Sequence, residues 1–394
     1  HEGRRLGAHL ASRSTAVRQL ARMTLDLSYG STLFTVLAAL AKIMALLLGF
    51  GMGLASILTW MERRQSAMMQ DRLGPNRANI GPFKAWGITH FLADALKFLF
   101  KEDFVPPLAH KFFFMWAPVM SMAPALIVAA IIPFGSALCW GHVLEPQSAM
   151  CETPVLGQIA RLDVGILFYF ALSSLSVYGA TLAGWASHNK WAMMGGLRAS
   201  SQMMSYEVTM GMAVLGSFLV YGTLEPGAMV LKQQASLWHW GIFTQPLGFL
   251  LFLTAAIAET KRTPFDIPEG EPEIIGYFVE YSGLRFGMFF LGEFLEIVFS
   301  SALLITIFFG GWSLPGLHDF AIAHQWPNLL YFLATVGIWS GKVFLFAAFQ
   351  LLIRWSLPRF RSDQLMQLGW QRLLPISIAN VVATAIAVLW LNTK

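Results

Sequence analysis

Glu259 to Gly287 reads ETKRTPFDIPEGEPEIIGYFVEYSGLRFG, a hydrophilic stretch set between two apolar runs. From Glu259 to Glu296 the chain places eight of its 22 acidic residues: Glu259, Asp266, Glu269, Glu271, Glu273, Glu280, Glu293 and Glu296. An ionisable group at bilayer depth costs roughly 2.5–3.5 kcal/mol, so it faces a cavity, a partner or a proton route. Pro264, Pro268 and Pro272 recur every fourth residue. Each removes a backbone donor and restricts the residue before it, so the stretch cannot be one continuous helix. The expectation is an irregular, acid-lined wall. Glu293 and Glu296, three apart in the following apolar run, share one helical face and prolong the carboxylate row into the membrane.

Outside this stretch the chain is greasy. Of 394 residues 56% are hydrophobic and 12% charged, against about 25% charged in soluble domains. Apolar runs of about 20 residues, the length that crosses roughly 30 Å of hydrocarbon, recur near 32–59, 112–134, 164–187, 200–222, 241–259, 286–311, 329–353 and 373–392. Strand alternation is absent, which predicts an all-α polytopic membrane protein of eight transmembrane helices and not a barrel. Cys139 and Cys151 are too few and too far apart for a zinc or iron–sulfur site, and all nine His lie outside the apolar runs. No metal is expected, no glycine fingerprint for a dinucleotide follows a strand, and any redox cofactor belongs to partners.

The formal charge of +5 is informative through position, as membrane orientation and not as a nucleic-acid surface. Loops near 60–111, 188–200, 260–285 and 354–372 alternate onto one side and hold seventeen Lys or Arg, against two in the loops at 135–162, 222–240 and 312–328. The first set is therefore expected in the cytoplasm. Residues 1–30 form a basic extension with five Arg and do not begin with Met. They read as a surface tail, a targeting segment or an over-extended start with the natural one at Met23, the last preferred, and residues 31–394 as a single membrane domain.

Residues 85–101 put His90, Asp94, Lys97 and Lys101 on one stripe with Ile88, Phe91, Leu92, Leu96 and Leu99 opposite, the pattern of an amphipathic interfacial helix. It either docks on the membrane surface or floors a cavity entered from it. Cys139 and Cys151, on the outer side, are either disulfide-bonded or two free thiols. Glu207, inside the fourth span, is either functional or tied to Ser205 or Tyr206 to hold helices together. Lys42 and Lys342 are the cations within spans; Lys342 is the expected counter-charge to a carboxylate, whereas Lys42 near a helix end would snorkel.

The motifs resemble those of the quinone-chamber membrane subunit of respiratory complex I, known as the H subunit in bacteria and as subunit 1 in mitochondria. An ER pair (Glu62, Arg63) precedes a GPN turn (Gly74, Pro75, Asn76), followed by ADxxK (Ala93, Asp94, Lys97). GWAS at 184–187, LRA at 197–199, SYE at 205–207, AETKRTPFDIPEGE at 258–271, EYSG at 280–283 and PRFRSDQLMQLGW at 358–370 follow in family order. The likeness covers about residues 31 to 392. Between Glu273 and Glu280, EIIGYFVE runs one residue shorter than the usual family spacing, which leaves open which wall Tyr277 and Phe278 face.

The resemblance implies eight helices and an interfacial helix at the junction of a hydrophilic and a membrane arm of a proton-pumping NADH:quinone oxidoreductase. Glu62, Arg63, Ala93 and Asp94 would line a quinone tunnel, and Asp266, Glu269, Glu271, Glu273, Glu280 and Arg285 its chamber. Glu207, Glu259, Glu293, Glu296 and Lys342 would form a proton path toward antiporter-like subunits. Quinone would be the substrate, with NADH, FMN and iron–sulfur clusters in hydrophilic partners, and the location the bacterial inner membrane in preference to the mitochondrial one. Alternatives are the corresponding subunit of a membrane-bound hydrogenase and a carboxylate-based secondary transporter. The absence of an internal repeat speaks against the transporter.

Overall fold

The computed structural model describes residues 32–79, 81, 85–138, 155–270 and 273–392; the basic extension at 1–30 lies outside them. Within them every regular element is a helix, and an isolated antiparallel bridge between Leu138 and Val155 is the only strand-like pairing. Among the described residues, seven helices are long and apolar enough to cross a membrane.

The first, α1, runs from Thr32–Ile43 through a π-helical stretch, Met44–Met52, into Gly53–Met69. It carries Glu62 and Arg63 within helix, so the loop expected from residue 60 begins a further two turns on. A turn at Ala85–Gly87, with Trp86 at φ 54°, leads into the amphipathic α2, His90–Phe100. Next come α3 (Lys111–Val128), α4 (Gly165–Ser173), α5 (Ser176–Ala186) and α6 (Lys190–Tyr221). Asn189 caps α6 by accepting from the Trp191 amide at 2.9 Å, which starts this helix ten residues before the apolar run and absorbs most of the loop expected at 188–200.

Past the short helix α7 (Pro226–Gln233), the segment expected to span at 241–259 forms a turn at Gly241–Thr244 and a 14-residue apolar helix, α8, Pro246–Glu259. At 1.5 Å per residue α8 is about 21 Å long, shorter than the hydrocarbon core. The count of eight thus turns on this one segment. The remaining elements are α9 (Gly283–Phe308), α10 (Leu317–Ala323), α11 (Asn328–Ser356) and α12, which runs Ser362–Gln367, π-helical Leu368–Leu373 and Leu374–Asn392.

Two helices organise the packing. α9 is buried continuously from Gly292 to Leu295 and from Ile297 to Phe308, and touches α1, α2, α3, α7 and α11. α6 packs against α5, α8 and α12. Small residues permit the approach: a Cβ on Gly51 of α1 would come 3.3 Å from the Phe299 ring of α9, and one on Gly179 of α5 would lie 2.5 Å from the Ser121 nitrogen of α3. Without a hydrophobic gain between helices in lipid, such close van der Waals contact is what holds them.

Candidate functional site

The segment 260–282 folds back between α6 and α9, and its described residues, 260–270 and 273–282, have no regular secondary structure, in keeping with the prolines. Its position is set by Gln202 of α6, whose amide donates to the carbonyls of Ala258 and Phe265, 2.7 Å each. Gly195 of α6 faces the same segment, where a Cβ would come 2.8 Å from the Tyr277 nitrogen.

What this fold-back buries is not a row of acids alone. Lys261 and Arg262 are 1% and 6% exposed, a state a cation reaches only when paired. Arg262 lies 3.2 Å from Glu293 and 3.6 Å from Glu62, with its guanidinium 4.5 Å from the centre of the Phe294 ring. Glu62 is also paired with Arg354 at the end of α11. Lys261 lies 3.8 Å from Glu296 and 5.6 Å from the Tyr277 ring centre. Arg359 donates to the Asp266 carbonyl and fills the space over Gly270. Five carboxyls (Glu62, Asp266, Glu269, Glu293, Glu296) therefore share this interior with four cations (Lys261, Arg262, Arg354, Arg359), and electroneutrality favours one protonated acid.

Glu269 is the group that holds that proton. Burial, then the Glu293 charge and a hydrogen bond with Glu293, push its carboxyl well above the ordinary range. Its proton is thus donated to the Glu293 carboxylate. Asp266 is raised from 3.8 to about 6, chiefly by burial, against the lowering pull of Arg359 and Arg354. Glu273 behaves oppositely: Arg198, bonded at 2.9 Å, holds this exposed carboxyl below its usual range.

Two cavities adjoin the cluster. One, of about 460 Å³, opens between Thr59, Glu62 and Arg63 of α1, the Gly74–Asn76 turn, His90 of α2, Phe290 of α9 and Trp355 of α11. Arg63 at its wall is paired with Asp94 of α2 at 2.5 Å. The second, of about 30 Å³, lies deeper and is lined by Tyr169, Ser173, Ser176, Glu259, Thr260 and Glu296, among others. Glu62 touches the first cavity and Glu296 the second, so the ion-paired cluster joins them.

The other expected residues fall as follows. Glu207 on α6 lies within electrostatic reach of Glu259. It is not tied to its neighbours in sequence, because the Ser205 hydroxyl donates to the Ser201 carbonyl and Tyr206 to that of Leu365. Glu280 accepts from Asn189 at 2.7 Å and Arg285 pairs with Asp103 at 3.2 Å, both away from the buried cluster. Ala93 is exposed on α2 and is not among the residues lining either cavity. Tyr277 is fully buried against the cluster, whereas the Phe278 ring turns to Phe286. Glu271, Cys139 and Cys151 lie outside the described residues.

Lys342 corrects an expectation. Its ammonium is held by three carbonyls just past α9, those of Phe309 (2.8 Å), Gly311 (3.0 Å) and Ser313 (2.7 Å), with the Trp240 ring 4.6 Å away. It neutralises a helix C-terminus and not a carboxylate. Lys42 reaches the Gln158 carbonyl at 3.2 Å. Lys261, Arg262, Arg354 and Tyr169 carry no role in the sequence reading. The signal available for the first two was a Lys-Arg pair directly following an apolar run and preceding the prolines.

The sequence matches the NADH dehydrogenase family over residues 41–385. It is 43% identical to copy 1 of the NADH-quinone oxidoreductase H subunit of Geobacter metallireducens, covering 88% of this chain and 94% of that one. It is 41% identical to NADH-quinone oxidoreductase subunit 8 of Rhodothermus marinus, covering 90% and 97%. With copy 2 of the NADH-quinone oxidoreductase H subunit of Koribacter versatilis it shares 39% identity over 91% and 99% of the two chains.

Proposed function

Since the chain belongs to the NADH dehydrogenase family, as an H subunit of NADH-quinone oxidoreductase, we propose that its larger cavity admits the quinone and its buried ionisable row carries the coupled protons. The observation that carries this reading is continuity. From Glu62 at the cavity wall, charged side chains follow through Arg262, Glu293 with Glu269, and Lys261 to Glu296 beside the second cavity, then to Glu259 and Glu207. Thr59, Glu62, Arg63 and His90 wall the cavity in which the quinone would lie, with Arg63 fixed by Asp94. Asp266 and Glu269 belong to the buried cluster behind this wall, whereas Glu273, Glu280 and Arg285 are not among the residues that line the cavity.

Reduction of a quinone takes up two electrons and two protons. The electrons come from iron–sulfur and flavin groups of partner subunits that oxidise NADH; this chain supplies walls and protons. Charge arriving near Glu62 acts on the cluster at about 4 kcal/mol per unit pair at 4 Å and an effective dielectric near 20. That is enough to redistribute the proton that Glu269 and Glu293 share, because each holds it at the other's expense. The membrane is the bacterial inner membrane with the cation-rich loops cytoplasmic, and the proton path leads to antiporter-like partners.

The test uses the assembled complex in proteoliposomes. Glu207→Gln combined with Glu293→Gln is expected to abolish proton uptake driven by NADH oxidation while electron transfer from NADH to ferricyanide persists. Normal pumping in that double variant would remove the path. Separately, Thr59→Phe, which places a ring in the larger cavity, should raise the KM for quinone about tenfold; an unchanged KM puts the quinone elsewhere.

A further inference from the structure

The span that contains Tyr169, Gly165–Ala186, is continuous in course, with Ser174 and Leu175 keeping right-handed helical dihedrals at the junction of α4 and α5. Around this junction Tyr169, Ser173 and Ser176 line the deeper cavity opposite Glu259, Thr260, Glu296 and Ser300. At about 30 Å³ this cavity holds one or two waters at most.

Glu296 and Glu259 meet here through charge, with no hydrogen bond between them. A proton passing from one to the other needs an intermediate that can both accept and donate. Most of the hydroxyls at hand are occupied: Ser173 donates to the Phe170 carbonyl, Thr260 to that of Ile257 and Ser300 to that of Ile297. Tyr169, 5% exposed, makes no such bond among the described residues, and its phenol lies within electrostatic reach of both Glu259 and Glu296. Ser176 is the other uncommitted hydroxyl of the lining.

We propose that Tyr169 relays the proton between Glu296 and Glu259. The inference rests on the proton-path reading above. In the step, the Glu296 carboxyl gives its proton to the Tyr169 oxygen, directly or through one water, as the Tyr169 O–H bond breaks and its proton moves to a Glu259 carboxylate oxygen. Tyr169 ends neutral, Glu296 ends ionised, and no electrons change owner. Ser173, one turn along α4, lies within hydrogen-bonding reach of Glu259 and can accept from its protonated form while donating to the Phe170 carbonyl.

The experiment compares Tyr169→Phe, Ser176→Ala and Glu259→Gln in the assembled complex, reading protons pumped per NADH, the solvent isotope effect on turnover and NADH:ferricyanide activity. Tyr169→Phe is expected to lower pumping at least tenfold and to change the isotope effect, with ferricyanide activity intact; Ser176→Ala leaves all three near wild type. If Glu259→Gln stops pumping and Tyr169→Phe does not, the relay is overturned and the path stands. If neither affects pumping, the path itself fails. Should Tyr169→Phe fail to assemble, replacing Tyr169 with 3,5-difluorotyrosine keeps the ring and acidifies the phenol. A relay facing Glu259 and Glu296, which in turn face Glu207 and Lys261, then shifts the pH profile of turnover, and an unshifted profile overturns it.

Discussion

Arg262 is the most consequential residue of the buried cluster, since its one guanidinium neutralises both Glu62 and Glu293. Removing one partner of a buried pair leaves an uncompensated charge and costs about 3–5 kcal/mol. Arg262→Met is therefore expected to lower the melting temperature of the assembled complex markedly, with Arg262→Lys in between; an unchanged melting curve would show that the acids do not depend on it. Asp266 gives a pH-dependent case. With its carboxyl raised to about 6, the folded chain binds this proton more tightly than the unfolded one. Stability therefore falls as pH rises from about 4 to 6, by up to roughly 3 kcal/mol, and does not change on this account above that. Asp266→Asn should stabilise the complex above pH 6 with the advantage fading toward pH 4, and an advantage independent of pH would contradict the assignment. At Gly270 a methyl group would collide with the Arg359 guanidinium. Gly270→Ala should cost about 1–3 kcal/mol by overpacking, checked by thermal denaturation.

Among the helices, α6 holds the fold-back segment at one end and the last helix along its side. α12 is also held from the start of α8, where Gln245, the residue before that helix, donates to Thr384 at 2.8 Å and accepts from Asn380 at 3.1 Å. Interhelical hydrogen bonds in lipid average about 0.6 kcal/mol and reach about 1.7. Asn380→Leu should thus destabilise by no more than about 2 kcal/mol in detergent titrations of unfolding. A much larger loss would mean that α12 is held almost wholly by this pair. The periodic stripe of α2 and the apolar runs of the spans were legible because membrane and interface each impose a single face on a helix. Helix ends were not. α1 and α6 extend through polar residues such as Glu62, Arg63 and Arg198, whose neighbours in space satisfy them.

For the molecule as a whole, the asymmetry of seventeen cations against two is a statement about orientation. A cysteine at Arg77, between α1 and α2, should be labelled by a membrane-impermeant maleimide only from the cytoplasmic face of inverted vesicles, and one at Trp238 only from the opposite face; labelling from the same side would break the topology. Composition alone determined that the chain is an all-helical membrane protein, because runs long enough to cross hydrocarbon leave the backbone no other way to satisfy itself. The prolines determined that the chain between α8 and α9 could not be one continuous helix, and the acids that this region is where ionisable groups collect. The tertiary structure alone decided which acid meets which base. That Arg262 lies between Glu62 and Glu293, that Lys342 caps a helix end and not a carboxylate, and that Tyr169 stands beside Glu259 and Glu296 all join residues far apart in the chain. Such partnerships follow from the way α9 and α6 clasp one loop between them, and periodicity along a single strand of sequence carries no record of distance across it.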